Sequence, residues 1–295
     1  MRVVDGNSFP QLDIFEARAG QLRLQANAGA RVRRADGGIY TLHTGVEGLR
    51  LPTGEGWLVV GDSQVLGYGV EDDETFAALL GATNAGVAGH GVGDALQHAD
   101  ELVPLLHPAG AIVLLNQAND WDEAMVPALD RYVVRGGWLG SIRQAESHGA
   151  TFWSSPLSQV HLLAYPAIVI FRRSPPPPGV PNPGLATTFR AAFDAFARRW
   201  PDLRAVAAFL PVDAATSEAR AAVSPLALPG EPWNDAAMHD ATVAAFAGTE
   251  FIDLQPALAD PLSFQTGDYH LSVQGHGAVA AAFRENLGGA LRGAR

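Results

Sequence analysis

The chain has 295 residues, 47% of them hydrophobic and 17% charged, which suits one large α/β domain or two small ones and excludes general disorder. With 20 basic residues against 31 acidic ones the net charge is −11, and no basic stripe appears, which argues against a nucleic-acid partner. There is no cysteine, so disulfide scaffolds, thiol nucleophiles and thiolate metal sites are excluded.

Met1 to Phe15 lacks the basic-then-apolar order of a secretion signal, so a cytoplasmic location is expected. Residues 1–55 read as a small β-rich segment. Gln21 to Gln25 alternates polar and apolar, Asn27-Ala28-Gly29 marks a turn, and a second extended run follows from Ala30 to Arg33. Asp36-Gly37-Gly38 predicts another turn before Ile39 to Leu42. Trp57 to Val60 is a continuous apolar run, as expected of a strand covered on both faces. Helical patterns follow over Asp73 to Leu80 and Val92 to Leu106, with a short strand between them at Asn84 to Val87. Ala111 to Leu115 is a second buried strand, then Leu185 to Trp200 reads as a helix. Ala205 to Leu210 and Phe251 to Leu254 read as strands, and Gly277 to Leu291 as a closing helix. The longest apolar stretch, Val160 to Phe171, contains His161 and Pro166 and falls well short of the roughly 20 residues of a membrane span.

Strands alternating with helices imply a doubly wound α/β fold: a three-layer flavodoxin-like sandwich with about five parallel strands. The expected division is a β-rich segment at 1–55 and a main domain at 56–295. An elaborated cap near the pocket is expected at about 120–203, with Ser174 to Pro183 as a rigid surface loop.

Ligands bind beyond the carboxyl ends of strands in such sheets, so the residues after each apolar run matter. Those residues are Gly61-Asp62-Ser63, Gly89, Gln117-Ala118-Asn119-Asp120 and, before the last helix, Asp268-Tyr269-His270. Together they hold a hydroxyl, oxyanion donors, a base and a carboxylate, the parts of acyl transfer. A serine hydroxyl needs a neutral imidazole to take its proton, and a carboxylate to orient that imidazole. The N–H groups of Ser63 and Gly89 and the Asn119 amide can meet the negative oxygen of the intermediate.

At these blocks the sequence resembles the SGNH or GDSL hydrolases. Gly61-Asp62-Ser63 matches the first block, Asn84 to Gly89 the second, Ala118-Asn119-Asp120 the third, and Asp268-Tyr269-His270 with Gly275-His276 the fifth. The run Gly61 to Val70, with Gly48-Leu49-Arg50 upstream, is similar to a bacterial branch of that family. The resemblance covers about residues 40–125 and 204–285. It implies the SGNH hydrolase fold, with Ser63 as nucleophile, His270 as base and Asp268 as its orienter. It further implies an oxyanion hole of Ser63, Gly89 and Asn119, no cofactor, no metal, and a small-molecule or carbohydrate ester as substrate. Two positions depart from the pattern. Gln117 stands where the third block begins with glycine, so its side chain would narrow the pocket or add a donor. Only Tyr269 separates Asp268 from His270, where two residues are usual.

The expected activity is a serine esterase cleaving short acyl or acetyl esters. An O-acyltransferase using the same residues and a non-catalytic carbohydrate-binding protein are the alternatives. His276, at the start of the closing helix, suits a structural contact better than the base. Asp62 suits a turn or helix cap. The remaining histidines lack metal-ligand spacing, though His90 sits where it would touch substrate. Trp121, Trp138, Trp153 and Trp233 are offered either to the core or to a sugar or acyl pocket. The acidic run Glu71 to Glu74 fits a helix N-terminus.

Overall fold

The computed structural model describes residues 13–34, 37–118, 126–141, 184–214, 217, 235–266 and 268–288. It opens with two antiparallel hairpins, β1 (Phe15–Arg18) with β2 (Gln21–Leu24) and β3 (Gly29–Arg33) with β4 (Ile39–His43). The sequence suggested a hairpin joining the second and third of these strands. Instead the chain folds back at Ala19-Gly20, both with positive φ, and each strand pairs within its own hairpin.

The main body runs β5 (Trp57–Gly61), α1 (Ser63–Leu66), α2 (Phe76–Leu80), β6 (Thr83–Gly86), α3 (Val92–Leu106) and β7 (Gly110–Asn116). Then come α4 (Ala128–Arg131), a hairpin of β8 (Tyr132–Arg135) and β9 (Trp138–Ser141), and α5 (Leu185–Arg199). It closes with β10 (Arg204–Leu210), α6 (Asp235–Ala245), β11 (Phe251–Asp253) and α7 (Val273–Leu287). The β8–β9 hairpin was not foreseen. It docks on the N-terminal hairpins, where the Phe15 N–H donates to the Gly137 carbonyl at 2.9 Å. Most of the expected cap, the Pro-rich loop included, lies outside the described residues, as do Trp121, Trp153 and Trp233.

Five parallel strands form the central sheet in the order β6-β5-β7-β10-β11. Renumbered by chain order this is 2-1-3-4-5, the flavodoxin-like arrangement, with its switch point between β5 and β7. Alternate side chains point to opposite faces, so each strand feeds two cores. Leu58, Val60, Val113 and Phe209 pack with Leu96 of α3, Phe189 and Phe193 of α5 and Met238 of α6. Trp57, Val59, Ile112 and Leu114 pack with Val65 of α1, Phe76 of α2 and Val279 and Phe283 of α7. Burial of each of these larger side chains contributes about 1.5–3 kcal/mol, which explains why the strands are apolar on both faces. A third cluster joins the N-terminal hairpins to Tyr68, Val87 and Ala88. Among the described residues no helix is long and apolar enough to cross a membrane.

The closing helix starts at Val273, four residues before the expected Gly277. Gly275 and Gly277 weaken its opening residues as helix formers, but the Ser272 side chain caps it by accepting from the Gly275 N–H at 3.1 Å.

Candidate active site

Gly61 ends β5 at the switch point, and Asp62 turns the chain into α1. Its carboxylate accepts from the Gln64 N–H at 3.0 Å and from the Asn116 side-chain amide at 2.6 Å. Asp62 is thus the helix cap expected of it, and it also joins the carboxyl ends of β5 and β7. Ser63 is the first residue of α1. The helix stops after one turn at Gly67, whose φ of +79° is left-handed. A Cβ there would lie 2.5 Å from Thr75 Cγ2 and 2.7 Å from Arg50 Nη1. Arg50 is fully buried beneath this turn. It donates to the carbonyls of Leu66, Gly67 (2.6 Å) and Val70 (2.6 Å) and pairs with Asp72 at 3.0 Å. Asn84 donates to the Val65 carbonyl at 2.8 Å. A one-turn helix cannot stabilise itself; these side chains hold it in place.

The loop before α7 brings His270 to this turn. His270 Nε2 lies 2.9 Å from Ser63 Oγ, and His270 Nδ1 lies 2.6 Å from Asp268 Oδ1. The same Asp268 oxygen accepts the His270 backbone N–H at 3.2 Å. The short Asp-x-His spacing therefore suffices, because one carboxylate oxygen holds both the ring and the main chain of the residue two positions on. Burial acts to raise the Asp268 carboxyl pKa. The hydrogen bond from His270, its charge, and the N–H groups of His270 and Tyr269 outweigh burial and leave it below the ordinary value. An ionised carboxylate only accepts, so it fixes the proton on Nδ1 and turns the Nε2 lone pair to the serine hydroxyl. The rings of Tyr68 and Tyr269 pack on the imidazole at centroid distances of 4.7 and 4.4 Å.

Gly89 sits in the loop after β6 with φ +86°. A Cβ there would come within 3.1 Å of Tyr132 and 3.2 Å of Leu139, so the β8–β9 hairpin walls this loop. Arg131 donates to the Gly89 carbonyl at 2.9 Å and pairs with Asp94 at 3.1 Å. Among the described residues neither the Ser63 nor the Gly89 N–H donates to a protein acceptor. Asn119, the remaining expected donor, lies outside the described residues. The Gln117 side-chain amide donates to the Asp235 carbonyl at 2.7 Å and accepts from the Val212 N–H at 3.3 Å, so it ties the end of β7 to α6 and to the end of β10. No group of three or more metal-ligating side chains occurs among the described residues.

The other histidines near the site hold structure. His276 accepts the Phe76 N–H on Nδ1 at 3.2 Å and stacks on that ring; burial, then the charges of Arg50 and His270, push its pKa down to about 3. His90 is buried with Nε2 2.8 Å from the Leu22 carbonyl, so it ties the N-terminal hairpins to the Gly89 loop. Burial lowers its pKa to about 4, and burial lowers that of its neighbour His98 as well. These pKa values lie below the ordinary 6.5, so the unfolded chain takes up protons first as pH falls. Stability is then lost progressively from about pH 6.5 down towards pH 4 and 3, at up to about 1.4 kcal/mol per pH unit for each histidine. Urea midpoints at pH 7, 6 and 5 should fall accordingly, and a flat series would show that these rings are not held neutral in the fold.

No family model matches the chain, and no curated protein matches it. Among solved structures it is similar to the psychrotrophic esterase EstA from Pseudoalteromonas sp., at 11% identity over 78% of this chain and 95% of that one, with a TM-score of 0.40. It is similar too to LAE5, an alpha/beta hydrolase from the metagenome of Lake Arreo, at 14% identity, 80% and 96% coverage and a TM-score of 0.42. A third is Axe2, an acetylxylan esterase from Geobacillus stearothermophilus, at 14% identity, 80% and 95% coverage and a TM-score of 0.39. At such identities and scores the chemistry of the site rests on its own geometry.

Proposed function

We propose that the chain is a serine esterase that cleaves short acyl or acetyl esters, including those on carbohydrates, through an acyl-serine intermediate. The observation that carries this is the continuous path from Ser63 Oγ through His270 Nε2 and Nδ1 to Asp268 Oδ1, at 2.9 and 2.6 Å. Ser63 Oγ attacks the ester carbonyl carbon while its proton passes to His270 Nε2. The carbonyl oxygen becomes an oxyanion held by the N–H groups of Ser63 and Gly89, with Asn119 as a third donor assigned from the sequence alone. Collapse breaks the bond to the alcohol oxygen, which leaves with the proton from His270. Water then gives a proton to His270, attacks the acyl carbon and frees the acid, and Ser63 regains its proton. Asp268 stays ionised and stabilises the transient imidazolium.

A fluorophosphonate should phosphonylate one residue, and peptide mapping should place the adduct on Ser63. A panel of p-nitrophenyl esters and acetylated sugars should show turnover concentrated in the short acyl groups. Labelling at another residue, or none in a protein that turns over no ester of the panel, would remove this reading.

A further inference from the structure

We propose that Gln64, the residue after the nucleophile, is a positioning residue that clamps the histidine loop onto α1; this rests on the serine esterase reading above. Gln64 is 1% exposed, and both ends of its amide are used. Its Nε2 donates to the Tyr269 carbonyl at 3.0 Å, and its Oε1 accepts from the Leu271 N–H at 3.0 Å. The two partners flank His270 on either side, 205 and 207 residues away in sequence. One side chain thereby grips the main chain before and after the base, from the residue bonded to Ser63.

The rest of the site supports the grip. The Gln64 main chain is itself fixed by the Asp62 cap. Gln265 holds the loop from its other side: its N–H donates to the His270 carbonyl at 2.8 Å, and its Nε2 donates to the carbonyls of Leu271 (2.9 Å) and Tyr68 (2.7 Å). Asp268 orients the imidazole only within its own loop, since both residues travel together. The distance from that loop to Ser63 must be set by something bridging the two segments, and Gln64 is the side chain that does so next to the nucleophile. Because misplacement of a reacting group by about 1 Å can cost on the order of 100-fold in rate, the clamp belongs to rate and not to substrate binding.

Gln64→Met keeps the side-chain length and removes both hydrogen bonds. Gln64→Glu keeps the acceptor for Leu271 and removes the donor to Tyr269. In the full chain, Gln64→Met should lower kcat for p-nitrophenyl acetate about 100-fold with KM within about twofold, and Gln64→Glu, which sets a buried carboxylate oxygen against the Tyr269 carbonyl, should lower it at least as far. A readout independent of turnover is the ¹⁵N shift of His270 Nε2, which should move on Ser63→Ala in the parent protein and no longer move in the Gln64→Met background. An unchanged kcat in Gln64→Met, or a shift response identical in both backgrounds, overturns the clamp. Should Gln64→Met not fold, Gln64→Glu decides it, with parental kcat and an intact shift response as the overturning result. A parent protein that shows the shift response, loses it in Gln64→Met, and yet neither turns over esters nor takes up fluorophosphonate would leave the clamp standing and sink the esterase reading instead.

Discussion

Replacing Ser63 by alanine is expected to lower kcat for p-nitrophenyl acetate by roughly 10⁴- to 10⁶-fold while the fold persists. The change deletes one oxygen whose hydrogen bond goes to His270 Nε2, and it leaves Val65 and the packing of α1 untouched. The expected effect is large because, in the proposed mechanism, the hydroxyl is the atom that forms the new covalent bond. His270→Ala should cost a similar factor, since an unassisted hydroxyl is a weak nucleophile at neutral pH. Groups that work as a unit do not add, so the double variant should be no slower than either single one. Asp268→Asn should lose about 10⁴-fold, because an amide can offer a donor where only an acceptor fixes the imidazole tautomer. Steady-state kinetics beside near-UV circular dichroism would check the set. A folded Ser63→Ala variant within tenfold of the parent rate would take Ser63 out of the mechanism.

The main body of the fold was legible because its strands are buried on both faces. Trp57 to Val60 and Ala111 to Leu115 can be apolar throughout only if helices cover them on either side, as two separate cores do. The ends of those strands then marked where to look, and Ser63, Asp268 and His270 do come together there. The N-terminal pairing was less legible, since Ala19-Gly20 is a weaker turn signal than Asn27-Ala28-Gly29 and the alternation of Phe15-Glu16-Ala17-Arg18 lasts only four residues. The supporting residues were hidden for another reason. Gln64, Asn116 and Arg50 act on carbonyls, amides and carboxylates supplied by other segments, and Gln64 reaches more than 200 positions along the chain. No local periodicity encodes such a partner. Gly48-Leu49-Arg50 was visible only as a motif, and its role emerges only once the fold places that guanidinium under the turn after Ser63.

Arg50→Met is expected to destabilise the protein by about 3–5 kcal/mol, read as a drop in the urea midpoint at constant slope. The guanidinium has no solvent exposure, so water cannot replace it when it is removed. Its loss strips the carbonyls of Leu66, Gly67 and Val70 of their guanidinium donor, leaving Gly67 with the Val70 N–H at 3.3 Å, and leaves the Asp72 carboxylate against the His43 ring at 2.6 Å. Burial pulls the Arg50 pKa down and the Asp72 charge pulls it back up; an arginine nonetheless remains protonated, so the change removes a real charge. Methionine restores much of the stem volume but no donor, which isolates the hydrogen-bonding loss from cavity formation. Arg50→Lys should recover little, because one ammonium cannot reach three carbonyls and a carboxylate spread around a planar fork. Asp72→Asn should cost less, about 1–2 kcal/mol, since Asp72 is 20% exposed and water can reach the site it leaves. An Arg50→Met loss smaller than that of Asp72→Asn would mean that the turn after Ser63 is held by its backbone and not by the arginine beneath it. The expected order instead makes the segment ahead of β5 part of the platform that carries the serine, because Arg50 leaves that segment through the isolated bridges of its own backbone to Thr44 and Asn84.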